Sequence, residues 1–315
     1  MPKPAPEVDV PAVALQAASA DAYCRSVLST PGCEMWWFQT GGAPYRGFSR
    51  PFVDGAGRWW WRAKPHFAWP VDFFTPLAEC PRPPWFKSAL GYQHPAPLER
   101  ANSLVHFNVI RDLSRYDVGQ VASQKRRAVR KGLRSLIFGA LDPCAPDVVA
   151  EAREVWNSHV ERTGWNEAFD AGQFAGHWRP LAQHAGTNIV GVRDADSGAL
   201  CAWVICRIVE GCAYVDTIAS HTERLENRPN DTLIFAALWN AARLPGVRHA
   251  NYFLRSSLEP LERFKQSLGF DSSGLPARLR VNPLAGAALR ALRPAQWRRL
   301  VGDWPPTCDT SPPAR

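Results

Sequence analysis

The sequence predicts an α+β protein with a central mixed sheet flanked by helices. Three observations carry this. Between residues 147 and 282, apolar strands and amphipathic helices follow one another in the order ααβββαβαβ. Turn signals (Gly164, Pro180, "DSG", "EG" and Pro245-Gly246) fall where one periodicity gives way to the next. The first third differs in kind: it is rich in Trp, Pro and Gly, with only short extended pieces.

The elements read as follows. Residues 1–20 form a Pro-rich disordered leader. It lacks a charged start followed by an uninterrupted apolar core, so no signal peptide is indicated. Residues 21–30 suit a short helix stopped by Pro31 and Gly32. From Cys33 to Pro97, pieces such as "RWWWRA" and "VDFFTPL" imply short strands and long turns. "GAGRWWW" (55–61) reads as core and turn packing rather than as a platform for stacking bases. "LVHFNVI" (104–110) alternates as a strand, and Asp112 to Ser114 offers caps for a helix from about Tyr116 to Arg134.

That helix has a narrow apolar stripe of Val118, Val121, Ala122, Val129 and Leu133. Arg126, Arg130 and Arg134 recur every fourth residue, with Arg127 and Lys131 beside them. No acid interrupts "SQKRRAVRKGLRS", so adjacent like charges repel by roughly a few tenths of a kcal/mol per pair. Such a helix favours an anionic partner.

The second half begins with helices over 147–164 and 170–186, the latter limited by Pro180. Three strands follow, "TNIVGVRD", "ALCAWVICRIV" and "CAYVDTIAS". A helix over 230–246 is capped by Asn230 or Asp231. Then come the strand "VRHANYFL", the helix "SSLEPLERFKQSLG" ending at Gly269, and a last strand "ARLRV". The tail holds one or two basic amphipathic helices.

This element order, with "FKQSLGF" at 264–270, resembles the GNAT (Gcn5-related N-acyltransferase) superfamily over about residues 147–282. The resemblance implies a GNAT-like fold. Ordinary members carry a Gly-rich loop before the central helix, where backbone N–H groups hold the pyrophosphate of coenzyme A. Here that place reads "HTERLENRPNDTLIFAAL" (221–238) and has no Gly. The basic "KRRAVRK" helix, "NDTLIFAALWNAA" and "LERFKQSLGF" are similar to the Fem-type aminoacyltransferase branch. That resemblance implies two tandem GNAT-like halves, the first degenerate, and a donor that in several members is aminoacyl-tRNA. The organisation it implies is a leader over 1–20, a degenerate half with the basic helix over 21–135, a GNAT-like domain over 136–283 and a basic tail over 284–315.

Phe264-Lys265 match the Phe-Lys pair of the Fem-type pattern, which implies that Lys265 contacts the donor's ester carbonyl. A cation there stabilises the oxyanion that develops when an amine attacks. Asp216, on one strand face with Tyr214 and Ile218, is a candidate general base, and His221 at that strand's end is a second. Arg126, Arg127, Arg130 and Lys131 could bind phosphates, with Arg255 and Arg263 adding to them.

Composition bounds the rest. The 315 residues leave room for two ordinary domains, and 46% hydrophobic with 21% charged content fits a globular chain. No apolar run approaches the roughly 20 residues of a membrane-spanning helix. The formal charge of +8 favours a polyanionic or phosphorylated partner. Eight Cys residues without a CxxC pair read as free thiols in a reducing, cytoplasmic setting. No metal-ligand cluster, P-loop or Ser-His-Asp signature is present. The expectation is therefore an acyltransferase without a cofactor. Its co-substrate would be aminoacyl-tRNA and its acceptor the amine of a small metabolite or cell-wall precursor. An acyl-CoA-dependent transferase and a non-enzymatic binder of RNA or anionic surfaces are the alternatives.

Overall fold

The computed structural model describes residues 10–30, 50–164, 166–256 and 258–304. In chain order the first elements are α1 (Ala20–Ser29), β1 (Phe52–Val53), β2 (Trp59–Lys64), β3 (Phe67–Pro70), β4 (Gly91–Pro95) and β5 (Ser103–Ile110). Next come α2 (Ser123–Ser135), β6 (Leu136–Ala140), α3 (Pro146–Thr163), α4 (Ala171–Trp178), β7 (Thr187–Asp194), β8 (Leu200–Val209) and β9 (Cys212–Ser220). The last are α5 (Pro229–Ala241), β10 (His249–Leu254), α6 (Glu259–Ser267), β11 (Asp271–Val281), α7 (Pro283–Leu292) and α8 (Pro294–Val301). Two compact units divide the described residues, unit 1 drawn from 1–46 and 108–272, unit 2 from 47–107 and 273–315. This division differs from the four consecutive segments expected, because β5 and β11 each begin in one unit and end in the other.

In unit 1 the strand order is β10-β9-β8-β7-β6, parallel between β10 and β9 and antiparallel elsewhere. Alternation sorts β8 onto two cores: Ala202, Val204, Cys206 and Ile208 join the helix α5, while Trp203 and Ile205 join α3 and α4. From Leu233 to Leu238 every residue of α5 is fully buried, so this helix is apolar all round. Gly164 in the left-handed region (φ 66°) ends α3, and an Asp170–Gln173 capping box starts α4. Pro180 stops α4 at Trp178 and a 3-10 turn follows, as the sequence implies.

Several expectations change. Residues 10–19 are packed, not a disordered leader. Val10 and Leu15 are buried, Asn240 accepts the Val13 N–H, Asn188 accepts the Gln16 N–H, and Ala18 bridges to Val209. Two buried Asn side chains give a Pro-rich segment the hydrogen bonds it cannot make to itself. The basic helix starts at Ser123, not Tyr116, because Asp117 turns the chain by accepting the Gly119 N–H, so buried Val118 and Val121 precede the helix. The cap of α5 is Arg228 in the left-handed region (φ 56°), with Pro229 at its first position, rather than Asn230 or Asp231. The final strand runs over 11 residues rather than five.

Unit 2 has the strand order β1-β2-β3-β4-β11-β5. Trp60 and Trp61 of "GAGRWWW" are core: Trp60 donates to Asp54 at 3.0 Å, and Trp61 meets Trp69 edge-on. "VDFFTPL" forms bends rather than a strand, yet its Phe73 packs on Trp69 and Phe107. Asn282 caps α7 by accepting the Leu284 N–H, and α8 completes the tail. The expected α+β architecture of mixed sheet and flanking helices is present. No helix among the described residues is long and apolar enough to cross a membrane.

Candidate functional site

The parallel strands β9 and β10 pair over only His249–Asn251 with Cys212–Tyr214, although both run on beyond. Two irregularities accompany this. In β9, Asp216 and Thr217 both stand opposite Ile205, a bulge in the ladder with β8. In β10, Phe253 is held at φ 59°, a conformation that costs a non-Gly residue on the order of 1–3 kcal/mol. Backbone strain of this kind gathers at functional sites.

Beyond the paired stretch lies a buried polar group built from β5, β10 and α6. Lys265 is 3% exposed. Its Nζ donates to Glu262 Oε1 at 3.3 Å and to the Leu254 carbonyl at 3.4 Å, and lies 5.1 Å from the centre of the Tyr252 ring. Glu262 Oε1 also accepts the Ser256 N–H at 2.8 Å and the Asn108 amide at 3.2 Å. The remaining oxygens, Glu262 Oε2 and Asn108 Oδ1, are buried and have no partner among the described residues. Buried acceptors are satisfied in the great majority of cases, so two on hydrogen-bonded side chains point to a missing donor. Burial pushes the Lys265 ammonium below its usual range, while Glu262 beside it pulls back up. The expected catalytic Lys is therefore not a surface residue but a desolvated cation.

A second group sits at the C-terminal end of β9. Arg162 of α3 donates to His159 Nδ1 and to Ser220 Oγ, both at 3.1 Å, and Asn230 of α5 donates to the same Ser220 oxygen at 3.1 Å. Burial, then the Arg162 charge, pushes His159 down to about 4, so it is neutral near pH 7. Next to Ser220, His221 Nδ1 and Asn230 Oδ1 are buried and have no partner among the described residues. Asp216 does not stand free as the expected base. Its side chain, 6% exposed, is ion-paired with Arg207 of β8, which is 1% exposed. Burial raises the Asp216 carboxyl and the guanidinium opposes that rise. Asp216 stands at the bulge, two residues along β9 from Tyr214, the register partner of Arg207.

The basic helix contributes differently from its appearance in sequence. Lys125, not among the expected phosphate ligands, reaches Asp231 Oδ1 at 2.7 Å and lies 5.1 Å from the Phe264 ring. It thereby ties α2 to the first turn of α5 and to α6. A Cβ at Gly132 would stand 1.9 Å from Thr232 Oγ1, so glycine lets α2 approach α5 this closely. Arg126 turns back onto the Val121 and Gly119 carbonyls, and Lys131 reaches the Glu226 carbonyl at 3.3 Å. Arg127 and Lys131 are exposed, whereas Arg130 is half-buried and its Nε has no partner among the described residues. Arg255 and Arg263 are exposed, Arg263 3.8 Å from Glu259. At the start of α5 the position an anion would favour is taken by the 5%-exposed Asp231 carboxylate.

The α+β fold that the element order implies is shared with two solved structures at TM-scores of 0.54 and 0.53. No protein-family model matches the chain, and no curated protein does. Among solved structures, the C-terminal domain (DUF2156) of a putative lysylphosphatidylglycerol synthetase from Agrobacterium fabrum aligns over 90% of this chain and 98% of its own. The TM-score is 0.54 and the identity 13%. L-PGS from Bacillus licheniformis aligns over 91% and 98%, at TM-score 0.53 and 13% identity. FemX aligns over 59% of this chain at TM-score 0.47 and 12% identity, and the chain spans 63% of FemX.

Proposed function

We propose that this protein is an aminoacyltransferase. It would take an aminoacyl group from aminoacyl-tRNA and pass it to the amine of a small metabolite or cell-wall precursor. The observation that carries the reading is Lys265, a cation desolvated beside two buried acceptors without partners. In the proposed reaction the acceptor amine attacks the ester carbonyl. An N–C bond forms, the ester C–O bond breaks, and the amine's proton ends on the departing 3′-oxygen. The Lys265 ammonium opposes the negative charge on the carbonyl oxygen, an effect worth about 3 kcal/mol in a dry site. Glu262 Oε2 and Asn108 Oδ1 would accept from the donor's α-ammonium. His221, whose buried Nδ1 has no partner among the described residues, is the proposed proton acceptor.

Asp231 supports this donor over acyl-CoA, since a carboxylate at the start of α5 repels a pyrophosphate there. The exposed Arg127 and Lys131, with Arg126 and half-buried Arg130 beside them, would meet the phosphates of tRNA. Arg255 and Arg263 would add to them. A second reading of the acceptor is a lipid hydroxyl, favoured by the near-complete alignment with two lysylphosphatidylglycerol synthetase structures.

The test incubates the protein with pools of charged tRNA or acyl-CoA, offering amines from a small-molecule extract or phosphatidylglycerol vesicles as acceptors. Acceptor-dependent release of labelled amino acid from tRNA, lost in Lys265→Met, is the expected result. Consumption of acyl-CoA alone, or of no donor, would falsify the reading.

A further inference from the structure

We propose that unit 2 carries a docking surface for an anionic phospholipid bilayer. It is formed by the outward face of α7 and the Trp85-Phe86 turn within a basic margin. Leu284 and Leu292 are 82% and 76% exposed, and Ala287, Ala288 and Ala291 are exposed with them. At this spacing all five lie on one helical face. The other side of α7 is its packed side: Gly286 is buried, a Cβ there would lie 3.6 Å from Val281 and 3.9 Å from Trp297, and Ala285 and Leu289 are half-buried. A helix that meets only water carries polar residues outward. This one is apolar on both sides.

A second segment repeats the pattern. Trp85 is 79% exposed, Phe86 54% and Leu90 46%. The Leu90 carbonyl accepts the Asn282 N–H at 3.0 Å, which fixes the end of this turn to the start of α7. Both segments carry cations. Lys87 lies 5.6 Å from the Phe86 ring centre, Arg290 lies over Trp297, and Arg293, Arg298 and Arg299 are exposed. No acid occurs from residue 272 to 302 or from 80 to 98. Leu and Trp beside Arg and Lys, without acids, are what a bilayer's acyl boundary and anionic headgroups select. A nucleic acid has no use for Leu and Ala presented outward, and a second copy would set these Arg residues against themselves.

The surface stands apart from the proposed transfer, since vesicle binding needs neither donor nor turnover. The experiment floats the full chain with phosphatidylcholine vesicles, with or without phosphatidylserine. Phosphatidylserine supplies negative charge without the glycerol headgroup of phosphatidylglycerol. Flotation with the anionic vesicles is expected. The pair Leu284→Asp with Leu292→Asp weakens it about tenfold or more, and Trp85→Ser weakens it independently. Arg298→Glu with Arg299→Glu removes about one decade of preference for anionic lipid. These side chains are exposed, so thermal unfolding stays at the parent temperature and separates lost docking from lost folding. The proposal fails if nothing floats, if neutral vesicles bind as well, or if neither the Leu pair nor Trp85→Ser changes binding. It also fails if Leu284→Asp instead dissolves a dimer seen by sedimentation.

Discussion

Two cation–carboxylate pairs are buried in unit 1, Arg207–Asp216 and Lys265–Glu262, and they differ in what they leave open. The first joins neighbouring strands, and Asp216 keeps no buried oxygen without a partner among the described residues. The second lies within one helix. It leaves Glu262 Oε2 and Asn108 Oδ1 unmet beside a Lys with hydrogens to donate. Both pairs carry the desolvation cost of buried charge, so burial alone does not separate scaffold from site. What differs is the acceptors: Glu262 and Asn108 each keep a buried oxygen without a partner among the described residues, which makes Lys265–Glu262 the candidate ligand site, while Arg207–Asp216 joins β8 to the bulged β9.

The largest effect expected from this contrast is on folding. Asp216→Ala removes the carboxylate that pairs with the buried Arg207 charge and should lower unfolding free energy by about 3–5 kcal/mol in denaturant titration. The double change Arg207→Met with Asp216→Leu should recover much of it. A cost below about 1 kcal/mol would make Asp216 dispensable to the scaffold and reopen its candidacy as a base.

Glu262→Gln should behave in the opposite way. The amide oxygen still accepts from Ser256 and Asn108, so stability falls by only about 1–2 kcal/mol. The new NH₂ puts donors where an acceptor stood, and turnover with charged tRNA should drop about a hundredfold. Unchanged turnover with a large stability loss would make the two pairs equivalent.

A smaller effect appears with pH. Burial, then the nearby Arg207 charge, pushes His184 from an ordinary 6.5 down to about 4. Between these values the unfolded chain binds a proton that the folded one refuses. Stability contributed by neutral His184 is therefore full above pH 6.5 and declines as pH falls toward 4. His184→Asn should flatten that part of the stability profile, measured by urea unfolding at each pH. An unchanged slope would remove His184 from the surroundings of the Arg207–Asp216 pair.

The smallest stability effect belongs to the exposed face of α2. Arg127→Glu with Lys131→Glu should change unfolding free energy by no more than about 0.5 kcal/mol. The same change should flatten the salt dependence of tRNA binding. A parent-like salt slope would show that the phosphates lie elsewhere.

Much of unit 1 was legible because its elements are long and periodic. The strands over 187–220 and the helices ending at Gly164 and Gly269 need only alternation and a terminating glycine. Unit 2 was not, because its core is built from Trp and Phe on bends and short strands, where no period survives. Within the site, Lys265 and His221 came from pattern and resemblance. Glu262, Asn108 and Lys125 carried no such signal. The first two are ordinary polar residues until burial strips them of water. Lys125 was one cation among six in its run, and only its contact with Asp231 and Phe264 distinguishes it. The spacing of the six could have been read against Asp231, but separation along the chain by 106 residues hides such a pair.

The sequence alone determined the order of strands and helices, the missing glycines before α5 and the acid-free run of α2, because each depends on residues adjacent in the chain. Only the tertiary structure decided which charges are silent and which are open. Asp216 belongs with the scaffold because packing sets it against the buried Arg207, and Lys265 became a candidate catalyst because β5, β10 and α6 excluded water around it. Desolvation is a property of packing, and packing joins residues that sequence keeps far apart.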